Sequence, residues 1–429
     1  MLHLVREVAF LNKLCSLRSR LKRLIYTMRC IVRPAPRRAG AHRREDRTEE
    51  TLTTAQKPSL IPEDAFETGA PEGTLGAEEE LWLADPETLK LAGGAQRILA
   101  AEPEDLFSGE LIDCEIESNT GVHPEPGGVA GDIVSRRRVL LDHAGRLGRV
   151  LGTSGTHPIG DWREQEIIEK PHYQRLKRKL GWLIRRNNTF SLHVHYAVRG
   201  REKAIYLCDR LREYVPHFLA LSGNSPFWQG ENTDMHSART LIFGRSIHRA
   251  GLPEPFGRWD NYADYVDFAR RSGAIDTLGE IWWDIRPHPG LGTIEVRAFD
   301  AQTNPSRTEA LIALTAAVCD LISEEYESGD HRPIHPGREI EENKWSAQRY
   351  GMTGGFVDHE SHEMVETRCA VEHLFESLGT GRDLSTLPLL IDDPTESVRQ
   401  LEVWRETGSV VEVARDVAQR TRESSGPPG

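Results

Sequence analysis

The segment IWWDIRPHPGLGTIEVRAFD, residues 281–300, gathers five charged side chains among two tryptophans and several β-branched residues. From Thr293 to Phe299 apolar and polar residues alternate, which predicts a β-strand with Glu295 and Arg297 on the same face. A carboxylate beside a guanidinium group on one strand face suits a site that holds a metal ion and a phosphate together. The pair is equally compatible with an ordinary cross-strand ion pair, so other segments must decide between the two interpretations.

A second acidic segment runs GAEEELWL over residues 76–83. In a strand, Glu78 and Glu80 share one face and Glu79 lies on the other. Two carboxylates about 7 Å apart repel each other unless a cation lies between them, and Mg²⁺ or Mn²⁺ is the natural partner of such oxygen ligands. The alternative is a solvated acidic edge strand.

The segment SLHVHY, residues 191–196, is an apolar strand pattern with His193 and His195 on one face. A His-x-His pair on a strand indicates a metal or phosphate site with moderate specificity. Two hydrogen-bonded core histidines would give the same pattern, and this interpretation stays open.

A third acidic segment, ELIDCEIE over residues 110–117, predicts a strand from Glu110 to Asn119. Glu115 and Glu117 then share a face, and Glu110 and Asp113 supply further carboxylates. The alternative is a charged strand exposed to solvent.

The loop GNSPFWQG, residues 223–230, follows a helical pattern and combines Asn224 and Ser225 with aromatic residues. Arg239 comes shortly after it. Polar loops of this kind often line small-molecule sites. The alternative is a helix-end loop packed by Phe227 and Trp228.

Two phosphate-binding motifs are absent, because the chain contains neither a Gly-Lys dipeptide nor a G-x-G-x-x-G sequence. The segment HESHE, residues 359–363, resembles a zinc-protease motif. Its second histidine comes one position too early for H-E-x-x-H, so we predict a polar turn there.

Charge is unevenly distributed along the 429 residues. Residues 1–60 hold 14 Lys and Arg against 5 Asp and Glu, whereas the whole chain has a formal net charge of -12. The acidic remainder argues against nucleic-acid binding, and no apolar run approaches the length of a membrane span. The six scattered cysteines form no C-x-x-C pair, which indicates reduced thiols and a cytoplasmic protein.

Three regions follow from these patterns. Residues 1–70 are expected to be a basic extension, helical over 1–28 and largely disordered beyond it, that is dispensable for activity. Residues 71–420 are expected to form one α+β catalytic domain, and residues 421–429 a disordered tail. Helices are expected at 131–147, 163–186, 201–222, 306–328, 362–380 and 394–420, strands at 73–83, 110–119, 150–158 and 191–198, and loops at 330–357.

The order of several short motifs resembles the type 2 glutamate–cysteine ligases, or carboxylate–amine ligases, over about residues 73–420. The motifs are GAEEE (76–80), ELIDCEIESNT (110–120), GTHP (155–158), LHVH (192–195), NSPFWQG (224–230), WWDIRP (282–287), EVR (295–297) and ENKW (342–345). This resemblance implies a glutamine synthetase-like fold, in which an antiparallel β-sheet funnel carries helices on its outer face. It also implies ATP and Mg²⁺ (or Mn²⁺) inside the funnel.

The resemblance further implies that glutamate is phosphorylated by ATP and that the acyl phosphate is captured by the amine of cysteine. One metal is then expected on Glu78, His193 and Glu295, and a second on Glu80, Glu117 and Glu110. Arg297 and His195 are expected to contact phosphate or nucleotide. Arg239, with Asn224 and Ser225, is expected to bind glutamate, and Arg286 to serve either ligand, with Glu295, Arg286 and Arg297 as the catalytic group.

Three alternatives remain at this stage: a ligase with another amine acceptor, a metal-dependent amide hydrolase, and a binding protein without turnover. The three arginines argue against the hydrolase, which has no phosphate to bind. The complete acidic and histidine set argues against a binding protein, since buried carboxylates without a metal are costly. Small-molecule substrates are the only partners expected, apart from a second copy in a homodimer, which is an expectation from the family alone.

Overall fold

The alternating segments of the sequence form one antiparallel sheet in the computed structural model, which describes residues 59–102, 106–329 and 331–426. Six of its seven strands follow the order β10-β11-β5-β1-β3-β2, and the seventh, β4, pairs with the end of β1. The seven strands are β1 (Leu75–Ala84), β2 (Phe107–Gly109), β3 (Glu115–Asn119), β4 (Val150–Gly152), β5 (Ser191–Ala197), β10 (Ile285–His288) and β11 (Thr293–Asp300).

Short strand pairs and thirteen α-helices complete the described part of the chain. The pairs are β6 (Phe227–Trp228) with β7 (Glu231–Asn232), β8 (Ala250–Gly251) with β9 (Trp282–Trp283), and β12 (Gly355–Val357) with β13 (Met364–Glu366). The helices are α1 (Ala95–Leu99), α2 (Pro126–Arg146), α3 (Pro171–Leu180), α4 (Arg201–Leu211), α5 (Val215–Ser222), α6 (Arg239–Ser246), α7 (Trp259–Arg271), α8 (Pro305–Ser328), α9 (Gly337–Tyr350), α10 (Thr367–Ser377), α11 (Pro388–Asp392), α12 (Glu396–Thr407) and α13 (Val410–Ser425).

The sheet has an apolar face and a polar face, because side chains alternate along each strand. On the apolar face, Ala77, Val194 and Val296 pack in the main core together with buried residues of α4, α5 and α8. The predicted α+β architecture, an antiparallel sheet with helices on its outer face, is therefore confirmed. The polar face carries the charged residues that the sequence singled out.

The strand expected at 110–119 begins only at Glu115. The chain first turns at Asp113, whose backbone oxygen accepts bonds from Gly94 and Ala95 and whose carboxylate caps α1 through the amide of Gln96 at 2.9 Å. These bonds hold residues 110–114 in a loop, so Glu110 lies just beyond β2 instead of inside a strand.

The loop expected over 330–357 is wrong, since α9 occupies Gly337–Tyr350. Its inward face carries the buried polar residues Asn343, Lys344 and Gln348 beside Ile340 and Ala347, which conceals the apolar period of a helix. The helix expected at 394–420 is two helices, because Gly408 adopts the left-handed conformation that ends α12.

The expected domain ends also change. Helix α13 continues to Ser425, and Thr421 and Ser425 are fully buried, so the structure contradicts a disordered tail from residue 421. At the other end, Ala65 and Phe66 belong to the main core, and Phe66 contacts the ring of Trp259. Residues from 58 onward form one compact unit, so the boundary expected at residue 70 is too late. The helix expected over 1–28 lies outside the described residues.

We expect a chain that begins at residue 71 to be less stable than one that begins at residue 59, because it lacks the buried ring of Phe66. Loss of a buried phenylalanine costs about 3–5 kcal/mol. Thermal unfolding of both chains and of full-length Phe66→Ala tests this. Equal midpoints for the two truncated chains would show that residues 59–70 add no stability.

Candidate active site

Strand register brings the sequence-predicted residues together on the polar face. Glu78 of β1 is directly opposite His193 of β5, and His195 is opposite Glu295 of β11. Glu80 is opposite Glu117 of β3. Directly opposed residues lie about 4.5–5.5 Å apart at Cβ, so four glutamates and two histidines from four strands converge here.

One group of possible metal ligands consists of Glu78, His195 and Glu295, whose ligand atoms all lie within 4.8 Å of one another. His195 Nε2 is 3.4 Å from Glu78 Oε1 and 4.0 Å from Glu295 Oε1. Thr293 and the other ring nitrogen of His195 are 2.9 Å apart, which orients the imidazole. This geometry makes His195 a further possible ligand beside Glu78 and Glu295, in addition to His193, which the sequence suggested.

A second group consists of Glu78, Glu117 and His193, again within 4.8 Å. His193 Nδ1 is 2.9 Å from Glu78 Oε2 and 3.6 Å from Glu295 Oε1, so His193 lies between the two groups. Glu78 belongs to both groups. The two groups are therefore neighbours that share one carboxylate, although their members differ from the two ligand sets expected from the sequence.

Glu80 forms hydrogen bonds within the protein at the start of β5. Its Oε2 accepts hydrogen bonds from both the amide and the hydroxyl of Ser191 at 2.5 Å, and its Oε1 lies 3.8 Å from His193 Nε2. The carboxylate is therefore already held at the start of β5. It contributes negative charge to the site whether or not it contacts a metal directly.

Three glutamates at the β2–β3 side of the face repel one another. Burial, together with the charges of Glu80 and Glu78, raises the pKa of Glu110 to about 7. Burial and nearby carboxylates also raise the pKa values of Glu115 and Glu117 well above the usual range. Arg297 and Arg239 act on Glu110 and Glu115, but no salt bridge to the three glutamates is found among the described residues, and a divalent cation is the simplest group that would neutralise them.

The opposite side of the face is rich in arginine. Glu295 is fully buried, Arg286 Nε donates to its Oε2 at 2.6 Å, and Arg297 donates to its Oε1. Burial alone would raise the pKa of Glu295, but the two guanidinium groups hold it far below the usual range. Glu295 thus stays ionised and fixes both arginines beside the cation positions.

Histidine protonation differs between the two neighbours. Burial and the charge of Arg297 lower the pKa of His193, which leaves its imidazole neutral and able to act as a ligand. Burial would also lower the pKa of His195, but Glu78 and Glu295 raise it. A cation bound between these carboxylates would lower the pKa of His195 again, because it competes with the proton for the same ring nitrogen.

Two of the predicted substrate residues, Asn224 and Ser225, contact Asp300 at the end of β11. Both residues are fully buried. The backbone amide of Asn224 and the hydroxyl of Ser225 donate to Asp300 Oδ2 at 2.8 and 2.7 Å. The Asn224 side chain donates to Ala301 O and accepts from Gln400. Their polar groups already form hydrogen bonds within the protein, so neither residue is assigned to the proposed substrate site.

Arg239 lies at the border of the cluster. Its guanidinium group donates to the backbone oxygens of Arg297 and Ala298 at 3.2 and 3.4 Å, where the register of β11 shifts. Its buried Nε has no hydrogen-bond partner among the described residues, and Glu80 and Asp300 influence its pKa. The arrangement allows Arg239 both to support the irregular strand and to contact an acidic ligand.

Three further residues lie here that the sequence did not assign to the site. Glu115, which the alternation in the sequence placed on the face of Glu117, is buried there. Tyr173 of α3 donates to Gly109 O at 2.8 Å, and burial with the charges of Glu110 and Glu115 raises its pKa. His288 packs edge-on against His195, with ring centroids 5.8 Å apart, and strand alternation from Arg286 in β10 could have identified it. Only tertiary structure reveals Tyr173.

The residues present fit divalent metal ions. His195 Nε2 is a buried atom without a hydrogen-bond partner among the described residues, and it faces the carboxylates of Glu78 and Glu295. Carboxylate oxygens with one imidazole per position suit Mg²⁺ or Mn²⁺. Those ions would be held by Glu78, Glu295 and His195, and by Glu78, Glu117 and His193.

Comparison with known proteins agrees with this site. The model of glutamate–cysteine ligase family 2 matches residues 74–412. The chain belongs to this family. A Rubrobacter xylanophilus protein provisionally named glutamate–cysteine ligase 2-2 is 73% identical over 366 residues, covering 85% of this chain and 95% of that protein. The glutamate–cysteine ligase of Haloferax volcanii is 34% identical over 343 residues, covering 78% of this chain and 94% of its own length.

Solved structures share the fold of this family member. The Francisella tularensis glutamate–cysteine ligase, solved in complex with AMP, has a TM-score of 0.59 at 12% identity, covering 81% of this chain and 89% of that one. A bifunctional glutathione synthetase from Pasteurella multocida has a TM-score of 0.60 at 10% identity. The match covers 82% of this chain but about half, 52%, of the bifunctional enzyme. The family match identifies the chain as a carboxylate–amine ligase, and the solved structures share its fold.

The described helices include none that is both long enough and apolar enough to cross a membrane. The described cysteines, which are Cys114, Cys208, Cys319 and Cys369, are free thiols.

We expect Mn²⁺ to stabilise this ligase more at pH 7.5 than at pH 5.5. An unfolded glutamate loses its proton near the ordinary pKa of 4.5, whereas Glu110 in the fold retains its proton until about pH 7. The metal-free fold therefore loses stability as the pH rises through this window, and a bound cation, which displaces those protons, offsets the loss.

Thermal unfolding with and without MnCl₂ at the two pH values measures this difference. Glu117→Gln should reduce the Mn²⁺-dependent shift at pH 7.5. The matched control is Glu164→Gln, at a half-exposed glutamate paired with Lys90, which should keep the full shift. A shift of equal size at both pH values would contradict the acidic cation site.

Proposed function

We propose that the chain joins the γ-carboxylate of L-glutamate to the amine of L-cysteine at the expense of ATP, giving γ-glutamylcysteine, ADP and phosphate. The observation that carries this proposal is the contact of Glu295 with both Arg286 and Arg297 next to two groups of metal ligands. Cation positions beside guanidinium groups suit a triphosphate, and membership of the ligase family supports the reaction class.

The reaction has two group-transfer steps. A γ-carboxylate oxygen of glutamate bonds to the terminal phosphorus of ATP, and the bond from that phosphorus to ADP breaks. The cysteine nitrogen then bonds to the acyl carbon, phosphate leaves, and the nitrogen loses a proton. Mg²⁺, when bound, neutralises the negative charge that gathers on the phosphate oxygens.

The protein's own residues position the reactants. Arg297 and Arg286 are held by Glu295 before any ligand arrives, so little side-chain entropy is lost when they bind phosphate oxygens. The Arg286 Nη1 donor is also fixed to Ile281 O at 2.9 Å. Two pre-positioned guanidinium groups would orient the transferred phosphoryl group toward the glutamate carboxylate.

Glutamate would bind on the Arg239 side of the face. Glu80 and Asp300 both lie close enough to influence the guanidinium charge, and the free Nε of Arg239 offers an unused donor. A substrate carboxylate would satisfy that donor. We assign the acceptor amine to no particular residue, and a ligase of the same class with another amine acceptor remains the second candidate.

The deciding experiment measures phosphate release from ATP with Mg²⁺ and glutamate across a panel of amines that includes cysteine. We expect cysteine-dependent release and a γ-glutamylcysteine product by mass spectrometry. Phosphate release with another amine, but not with cysteine, would show that this other amine is the acceptor. The absence of ATP cleavage with every pair would refute the ligase proposal and favour the hydrolase.

Glu295→Gln supplies the negative control for this assay, because it keeps the shape of the side chain but removes the charge that holds both arginines. We expect its turnover to fall by at least about 100-fold, the order of loss seen when a charge-orienting group is removed. Glu164→Gln should retain the unsubstituted rate.

We expect Arg239→Ala to raise the KM for glutamate about tenfold or more and to change the KM for ATP far less, since one charge-assisted hydrogen bond contributes about 1.5–3 kcal/mol. Steady-state kinetics with each substrate varied in turn provides the measurement. The control is Arg146→Ala, at a largely exposed arginine of α2. Equal increases in both KM values would show that Arg239 supports the irregular part of β11 and does not bind glutamate.

A further inference from the structure

A third group of possible metal ligands lies outside the polar face of the sheet. It consists of His335, Glu339 and His359, whose ligand atoms lie within 4.8 Å of one another. His335 precedes α9, Glu339 is in the first turn of α9, and His359 follows β12. None of the three takes part in the ligase site described above.

The two imidazole rings are stacked, with centroids 4.4 Å apart and planes inclined by 20°. Glu339 Oε2 lies 3.9 Å from His359 Nδ1, which is too long for a hydrogen bond. Within residues 59–102, 106–329 and 331–426 we find no hydrogen bond to either ring. The ligand atoms of two histidines and one carboxylate are therefore close together and uncommitted, and the stacked rings would rotate to direct both in-plane lone pairs at one ion.

Hydrogen bonds between side chains and the backbone hold the segments that carry these three residues. Asn343 of α9 accepts from the Val357 amide at 2.7 Å and donates to the Val357 oxygen at 2.9 Å, which ties β12 to the helix. The His335 amide donates to Glu213 Oε1 at 3.3 Å. The ligand positions are thus fixed by the surrounding structure, as a metal site requires.

The charge nearby also suits a cation. Glu213 lies beside His335, and Asp358 precedes His359, although its carboxylate accepts bonds from Ser361 within a turn. The guanidinium group of Arg212 donates to the backbone oxygen of His335 at 3.5 Å. The carboxylate of Glu339 is 44% exposed, so an ion has access from solvent.

We propose that His335, Glu339 and His359 form a second, separate metal site for a divalent transition-metal ion of the Zn²⁺ class. Two imidazoles and one carboxylate favour such borderline ions, in contrast to the carboxylate-rich ligase site, which suits Mg²⁺ or Mn²⁺. The site uses only the first histidine of the HESHE segment. His362 adopts a left-handed backbone conformation in the following turn and is not part of the ligand group.

A metal ion bound by these three residues would connect α9 to the hairpin that β12 and β13 form. The same helix carries Lys344, whose ammonium group donates to Asp284 at 2.6 Å next to β10, and Gln348, which donates to Thr240 of α6 at 2.8 Å. A metal at the beginning of α9 would therefore stabilise a helix that contacts the border of the ligase site. The role is structural, because the three ligands do not contact the polar face of the sheet.

Co²⁺ binding to the full chain tests the proposal, because Co²⁺ replaces Zn²⁺ and has visible absorption bands that report its ligands. Equilibrium dialysis with saturating Mg²⁺ gives the number of Co²⁺ ions bound. We expect the double variant His335→Asn/His359→Asn to lose one equivalent together with its absorption. The controls His373→Asn, at an exposed histidine, and Glu295→Gln, in the ligase site, should retain that equivalent.

Glu339→Gln provides an independent variant, because its exposed side chain can be changed without affecting the core. We expect it to weaken Co²⁺ binding at this site by at least about tenfold. Metal should also raise the unfolding midpoint of the unsubstituted chain more than that of either variant. Equal Co²⁺ stoichiometry in the unsubstituted chain and the double variant would overturn the proposal.

Discussion

Repulsion among carboxylates on one face of the sheet is the constraint on which the site depends. Glu78, Glu110, Glu115 and Glu117 come from three neighbouring segments, and three of the four have raised pKa values because they are buried together. Such an arrangement costs free energy in the absence of cations. The protein balances only one end of the face, where two arginines contact Glu295, and leaves the other end to bind positive charge.

The same face therefore combines two electrostatic environments a few ångströms apart. Near Arg286 and Arg297 it attracts anions, and near Glu117 it attracts cations. A triphosphate with its metal ions carries both kinds of charge and can contact both environments at once. This complementarity links the fold to the ligase family more directly than the overall shape does, because solved relatives share the shape at only 10–12% sequence identity.

Sequence periodicity predicted the centre of this structure well and its periphery poorly. Glu78, His193 and Glu295 lie in regular strands, where alternation determines the face of each side chain. Glu110 was misplaced because a cap on α1 interrupts the strand pattern, and α9 was missed because Asn343, Lys344 and Gln348 face inward. Tyr173 reaches the site through the packing of α3, which no local pattern in a single sequence encodes, whereas His288 follows Arg286 at strand spacing in β10.

Three consecutive glutamates in β1 also determine how this strand can pair. Glu79, between two site residues, points to the opposite face and forms a fully buried ion pair with Arg137 of α2, whose Nε donates to it at 2.8 Å. A shift of one residue would turn both Glu78 and Glu80 toward the apolar core, where Arg137 could pair with only one of them. Buried charge thus excludes misaligned pairing of β1 during folding, in a strand whose run of like residues would otherwise define its alignment weakly.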